Sequence, residues 1–378
     1  MSLYHRIEKL IHSLSEQGFD ALAVMPGSSL FYLSGLTFHH TTRLTLAFFP
    51  VSGDTPCLVL PEMEVARVEA SSSIEFLLFP WSDAVGPAEA LRRAIEASLP
   101  TSAAAQPFVG VEYTVMRVME LRMLEEFAPS AHTVDATALL AGLRMVKEEL
   151  ELAAIRRAVQ VSETALRATI NHIKEGITER QLAEIWSKEL QAAGAEGESF
   201  APIVASGPNS ANPHHTVSDR AFAVGDLIIL DGGARSGGYV ADMTRTIALG
   251  EPSDEARRIY GLVHAANLAG QAAVQPYIAA EQLDRATRLV IMDGGYGDYF
   301  LHRTGHGIGL DVHEPPYIVE GNSERIPPGA TFTIEPGIYV PGLGGVRIED
   351  DVLVTENGCE SLTQFERELI VLPAEPRG

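Results

Sequence analysis

Two aspartates and two glutamates stand at hairpin spacing about glycine-rich turns, and that pattern restricts the C-terminal half of the chain to few folds. Asp231 and Asp242 flank Gly232, Gly233, Ser236, Gly237 and Gly238 in LIILDGGARSGGYVADMTRT. Residues 226–231 form a short apolar run of buried-strand type, and the segment after the turn is again rich in β-formers. A turn centred near Ser236–Gly237 sets Asp231 directly opposite Asp242, with Cβ atoms about 5 Å apart. Glu335 and Glu349 repeat the arrangement in FTIEPGIYVPGLGGVRIEDDV, where pairing about Gly342 opposes them. Carboxylates that close repel unless a cation lies between them. His306, in RTGHGIGLDVHEPP, is flanked by glycines that let neighbouring backbone approach a crowded site. One imidazole with four carboxylates is a hard, oxygen-rich set suited to a pair of Mn²⁺, Co²⁺ or Zn²⁺ ions. Surface hairpins also carry acids, but two symmetric pairs beside such a histidine favour the metal. Gly305, Gly307 and Gly309 do not form a phosphate loop, because the spacing is wrong and no Lys-Ser/Thr closes it.

These segments resemble the pita-bread metallopeptidase family: methionine aminopeptidase, aminopeptidase P and prolidase. The second Asp lies in a DxTRT context, the His in GHGxGxxxHE, and the glutamates in EPG and RxED. SGPNSANPHH and LRMVKEELELAAIRRA extend the resemblance over roughly 144–372, and GFDALAVMPGSSLFYLSGL carries it more loosely into 1–143. The resemblance implies that Asp242 and Glu349 bridge two ions, Asp231 completes one shell, and His306 with Glu335 completes the other. It implies a metal-activated water as nucleophile, with Glu335 as general base. His214 and His313 match the histidines that hydrogen-bond the scissile carbonyl or oxyanion. His302 is a site-lining residue or a packing one. Arg347, two residues before Glu349, holds a substrate carboxylate or pairs with a site acid. Phe200 and Tyr239 are candidate walls for a proline ring, with core packing as the alternative. The 314–328 loop and a partner subunit are expected to close the pocket, and His39 or His40 to reach a partner's site.

Composition narrows the partners. A formal charge of −22 over 378 residues argues against nucleic acid or an anionic membrane. Cys57 and Cys359 are far apart and lack redox or zinc-finger spacing, which points to a reducing, cytoplasmic setting. The N-terminal segment is interrupted by charge, unlike a signal peptide, and no apolar run approaches the ~18 residues of a membrane span.

The length fits two domains. Helices are expected at 3–17, 63–70, 87–97 and 114–127, and strands at 20–26, 44–50, 56–60 and 75–79, with a turn at Gly27-Ser28-Ser29. That alternation reads as an α/β domain over 1–140, similar to the creatinase-like domain of the family, with a rim and dimer-contact role. A link near 133–146 leads to an α+β domain over 141–378, the pita-bread catalytic domain by resemblance. Its helices are expected at 147–172, 178–194, 253–274 and 280–293, the second entered through a Thr178–Gln181 capping box.

The resemblance implies hydrolysis of Xaa-Pro bonds in small peptides by a homodimeric Xaa-Pro dipeptidase (prolidase). Aminopeptidase P is the alternative. A metal-free, creatinase-like amidinohydrolase and a non-catalytic binding module are disfavoured, because both types lose ligands that this chain retains.

Overall fold

The computed structural model describes residues 3–39, 41–100 and 106–374. Its contacts divide the chain into two compact units, Met1–Arg144 and Met145–Gly378. Among the described residues no helix is long and apolar enough to cross a membrane.

The first unit is built on one six-stranded mixed sheet. From edge to edge its strands are Leu77–Trp81, Cys57–Pro61, Leu46–Pro50, Ala21–Val24, Phe108–Val111 and His132–Asp135. The central strands are wholly buried, as continuous apolar runs such as LAFFP require. Helices Leu3–Glu16, Val65–Ser71, Ala88–Ser98 and Val118–Phe127 lie close to their expected places. Four elements differ. The expected turn at Gly27-Ser28-Ser29 is the start of a helix, Ser28–Ser34, with Gly27 as its cap. Phe108–Val111 and His132–Asp135 are strands that short, weakly apolar sequences did not announce. The presumed link at 133–146 contains the helix Thr137–Met145. His39 is exposed, and His40 lies outside the described residues.

In the second unit two helix pairs back two sheets. Glu149–Ile170 and Glu179–Ala192 cover a four-stranded sheet that includes Ile203–Ser206, Leu227–Gly232 and Met243–Leu249. Leu166, Leu182 and Trp186 pack there on Ile228, Leu230 and Met243. The Thr178–Gln181 capping box forms as expected, with Gln181 N–H on Thr178 Oγ1 at 3.2 Å and Thr178 N–H on Gln181 Oε1 at 3.0 Å. Asp254–Ala273 and Ala280–Asp293 lie behind a five-stranded sheet that includes Gly305–Gly307, Thr331–Ile334 and Asp350–Thr355. Leu283 packs there on Phe332, Ile334 and Val352.

The two sheets meet at one antiparallel bridge, Thr244 to Glu349. Behind it, buried Arg245 donates to the carbonyls of Thr244 and Glu349 and pairs with Asp350 at 2.8 Å. A guanidinium with five donors suits that seam, since it satisfies backbone from both sheets at once.

Candidate metal centre

The aspartate hairpin departs from its expected register. Gly237 and Gly238 both have positive φ, 57° and 81°, as a two-residue primed hairpin turn demands. The turn is thus centred one residue later than expected, and the pairing moves by two. Asp231 lies opposite Thr244, not Asp242, and Asp242 becomes its diagonal neighbour on the same face. The glutamate hairpin has its expected register about Gly342. Gly337 pairs with Arg347 on one side and Ile334 with Asp350 on the other, which sets Glu335 opposite Glu349.

Because Thr244 is shared, the two hairpins form one row. Asp231, Thr244, Glu349 and Glu335 follow one another across the seam. Thr244 Oγ1 donates to Glu349 Oε2 at 2.6 Å, locking that carboxylate's rotamer. His306 enters from Gly305–Gly307, where strands press so close that a Cβ at Gly305 would strike the Thr333 carbonyl and one at Gly307 the Pro315 carbonyl. Its Nε2 lies 3.3 Å from Glu335 Oε1 and 3.8 Å from Asp242 Oδ2.

Three overlapping triads result: Asp231–Asp242–Glu349, His306–Glu335–Glu349 and Asp242–His306–His313. Within each, one donor atom per residue lies within 4.8 Å of the others. Asp242, His306 and Glu349 each belong to two triads, so the three triads share residues at one centre. Burial, then the charge of neighbouring carboxylates, pushes Asp242 and Glu349 well above the ordinary carboxylate range. Burial raises Asp231 too, against the pull of Arg347. Burial acts in the same direction at Glu335, but His306, His302 and Arg347 outweigh it and hold that carboxyl well below its usual value. Asp231 Oδ1 and Asp242 Oδ1 are buried with no hydrogen-bond partner. Polar atoms left so exposed to repulsion and so short of donors fit divalent cations.

The centre lines a cavity of about 600 Å³, shared with Phe200, Ile203, Pro213, His214, His302, Arg303, Val312, His313 and Arg347. His313 stands edge-on to His306 with ring centroids 4.1 Å apart. Burial, then His306, lowers its pKa to about 4. His214 faces the cavity. Its neighbour His215 turns away to Glu179, with Nε2 2.7 Å from Oε2.

Arg347 is a structural ion-pair partner in this arrangement. It donates to Asp231 Oδ2 at 2.5 Å, to the Tyr339 hydroxyl at 2.8 Å and to Thr244 Oγ1 at 3.2 Å. Tyr339 in turn meets His302 Nε2 at 2.8 Å, and His302 Nδ1 lies 2.8 Å from the Arg303 carbonyl. With Arg347 donating to the phenol oxygen, the phenol proton goes to Nε2, and Nδ1–H donates to the carbonyl. Burial lowers the His302 pKa, in keeping with that neutral tautomer.

Two expectations are corrected. Tyr239 does not line the cavity, because its hydroxyl is drawn 2.5 Å from Glu151 in the helix behind the sheet. No residue of 314–328 lines it either. Glu314, at the start of that segment, is instead buried against Lys147 at 2.7 Å. Sequence reading also missed Glu179. This buried carboxylate accepts from Ser206 N and Oγ, Asn209 Nδ2 and Ser218 N and Oγ as well as facing His215, and so ties down the segment carrying His214. An acid in a helix's first turn is common for dipole reasons alone, so nothing marked it out.

Comparison with known proteins agrees with this geometry. Residues 153–356 match metallopeptidase family M24, and residues 6–146 match the creatinase/prolidase N-terminal domain. The probable dipeptidase PepE of Mycobacterium tuberculosis is 38% identical over 362 residues, covering 95% of this chain and 94% of its own length. The Xaa-Pro dipeptidase of Pyrococcus furiosus is 35% identical over 368 residues, covering 97% and 99%. The crystal structure of a dipeptidase from Pyrococcus horikoshii OT3 superposes with a TM-score of 0.91 at 39% identity, covering 97% of this chain and all of that one. The chain therefore belongs to metallopeptidase family M24, a family of dinuclear metal-dependent hydrolases, and carries the creatinase/prolidase N-terminal domain ahead of its catalytic unit.

Proposed function

We propose that this protein is an Xaa-Pro dipeptidase whose reaction runs at the Asp231–Asp242–His306–Glu335–Glu349 centre. The observation that carries the reading is the pair of buried, unpartnered aspartate oxygens aimed into a donor set that also lines a substrate-sized cavity. Asp231, Asp242, His306, Glu335 and Glu349 would hold two divalent ions, which we assign as Mn²⁺ for so oxygen-rich a set, and these would supply an activated water near neutral pH and polarise the scissile carbonyl.

The protein's own groups do the rest. Glu335, kept ionised by His306, His302 and Arg347, accepts a proton from the attacking water and returns it to the proline nitrogen as the C–N bond breaks. Water's oxygen ends on the acyl carbon; one of its protons reaches the proline nitrogen through Glu335, and the other leaves the new carboxyl group, which ionises at neutral pH. His313, neutral near pH 7, still has one N–H to offer the carbonyl oxygen as negative charge builds there. His214 is placed to serve the same oxygen or the substrate's other end. Phe200, Ile203, Pro213 and Val312 give the cavity an apolar wall against which a proline ring can pack. The bond before proline is a tertiary amide with no N–H, so a site relying on metals and shape loses nothing there.

Cys57 and Cys359 are both free thiols, which supports a reducing, cytoplasmic setting. We assign a homodimer with the N-terminal unit as its contact, to be checked by sedimentation. The activity is tested by hydrolysis of Ala-Pro beside Ala-Pro-Ala, each with Mn²⁺ and after chelation. Metal-dependent turnover of Ala-Pro is expected. Turnover of the tripeptide alone would make the protein an aminopeptidase P, and activity that survives chelation would overturn the metal mechanism.

A further inference from the structure

We propose that Arg303 binds the C-terminal carboxylate of the substrate and thereby limits it to a dipeptide; this rests on the dipeptidase reading above. In an Xaa-Pro dipeptide the carboxylate carbon lies one residue from the scissile carbonyl, roughly 4 Å away. A free carboxylate that near four others needs a cation of its own. Two cations line the cavity, Arg303 and Arg347. Arg347 is consumed by Asp231, Tyr339 and Thr244. That leaves Arg303.

The surroundings of Arg303 fit the task. Its guanidinium lies over the Tyr317 ring, 4.5 Å from the centroid, and makes no hydrogen bond or ion pair among the described residues. In a chain with 50 acids against 28 basic residues, Arg303 is half-buried with no acid partner among the described residues. Stacking occupies one face of the guanidinium plane and leaves its N–H edge for a planar, two-toothed anion. It lines the same cavity as His313, which stands against His306, so it borders the region where the scissile bond must lie.

The backbone beneath it is fixed. His302 Nδ1 donates to the Arg303 carbonyl, at the end of the chain running from Arg347 through Tyr339. Arg288, held by Asp284, donates to the carbonyls of Phe300 and His302 on the preceding residues. A carboxylate receptor built on so firm a base loses little freedom on binding. A longer peptide has an amide at that position, which offers the guanidinium no charge.

The test compares Ala-Pro with its C-terminal amide in the wild type, Arg303→Met and Arg303→Lys, all loaded with Mn²⁺. The wild type should prefer the free acid. Arg303→Met should lose roughly 10- to 100-fold in kcat/KM on Ala-Pro, through KM, with the amide little changed. Arg303→Lys should recover part of the loss. An equal fall on both substrates would mean that Arg303 merely tunes the field of the centre, and no fall on either would remove it from recognition; both results overturn the proposal. Calorimetric binding of proline and prolinamide to the same proteins decides the matter independently of turnover. Should the wild type hydrolyse no Xaa-Pro dipeptide, the functional reading fails. Arg303 still stands if proline binds better than prolinamide and Arg303→Met abolishes that difference, and falls if it does not.

Discussion

The two ligand hairpins look alike in sequence and solve opposite problems. Both hairpins break into two strand pairs at their ligands, and Glu335 leaves the glutamate hairpin next to two histidines that keep it ionised. The aspartate hairpin's carboxylates have one arginine between them and two oxygens with no partner. Glu335 brings its own compensation. The two aspartates, with Glu349, depend on bound cations, and it is there that the centre should be most easily broken.

The largest effect is expected from Asp242→Asn. An outer partner of a metal ligand is typically worth 10- to 100-fold, so loss of a bridging ligand should reduce kcat/KM by more than about 100-fold and weaken metal binding with it. Retention of near-normal activity in that variant would remove Asp242 from the centre. Arg347→Met comes next, with roughly a 10- to 100-fold loss in activity or metal affinity on both Ala-Pro and its amide. Arg347→Lys should not restore it, because one ammonium cannot reach three fixed partners at once. A loss confined to the free acid would instead make Arg347 the carboxylate receptor.

The hairpins also predict how stability depends on pH. Without metal, Asp231, Asp242 and Glu349 have raised pKa values, while Glu335 is lowered. A carboxyl raised by folding binds more protons folded than unfolded, so its stabilising effect is present below the unfolded value near 4 and is lost as pH climbs through the folded value. With three raised against one lowered, the metal-free protein should melt several degrees lower at pH 8 than at pH 5, and excess Mn²⁺ should abolish the difference. A metal-free protein equally stable at both would contradict the crowding at the aspartate arm. The smallest effects belong to the turns. Gly238→Ala and Gly342→Ala each place a Cβ at positive φ, 81° and 85°, at a cost of about 1 kcal/mol in chemical denaturation. Only Gly238→Ala should also lower activity, since that turn alone fixes Asp242 relative to Asp231.

The ligand identities were legible because metal chemistry restricts residue type, and both hairpins carry their turn residues in plain view. The register of the first was misread because two glycines in sequence can centre a turn in more than one place, and only the positive φ of both Gly237 and Gly238 decides. Tyr239 was misassigned because strand alternation gives a face but not the helix behind it, where Glu151 waits. The four long helices of the catalytic unit followed from apolar period and caps, whereas the strands Phe108–Val111 and His132–Asp135 gave too short a signal. Arg303 and Glu179 were invisible for a different reason. Their significance lies in which partners they have or lack in space, and no spacing rule encodes that.

Calorimetric titration of Mn²⁺ into metal-free wild-type protein and Asp242→Asn tests the centre most directly. The arrangement predicts two equivalents bound by the wild type and at most one tight equivalent by the variant. A wild type that binds none, or a variant that binds two as tightly, would contradict it.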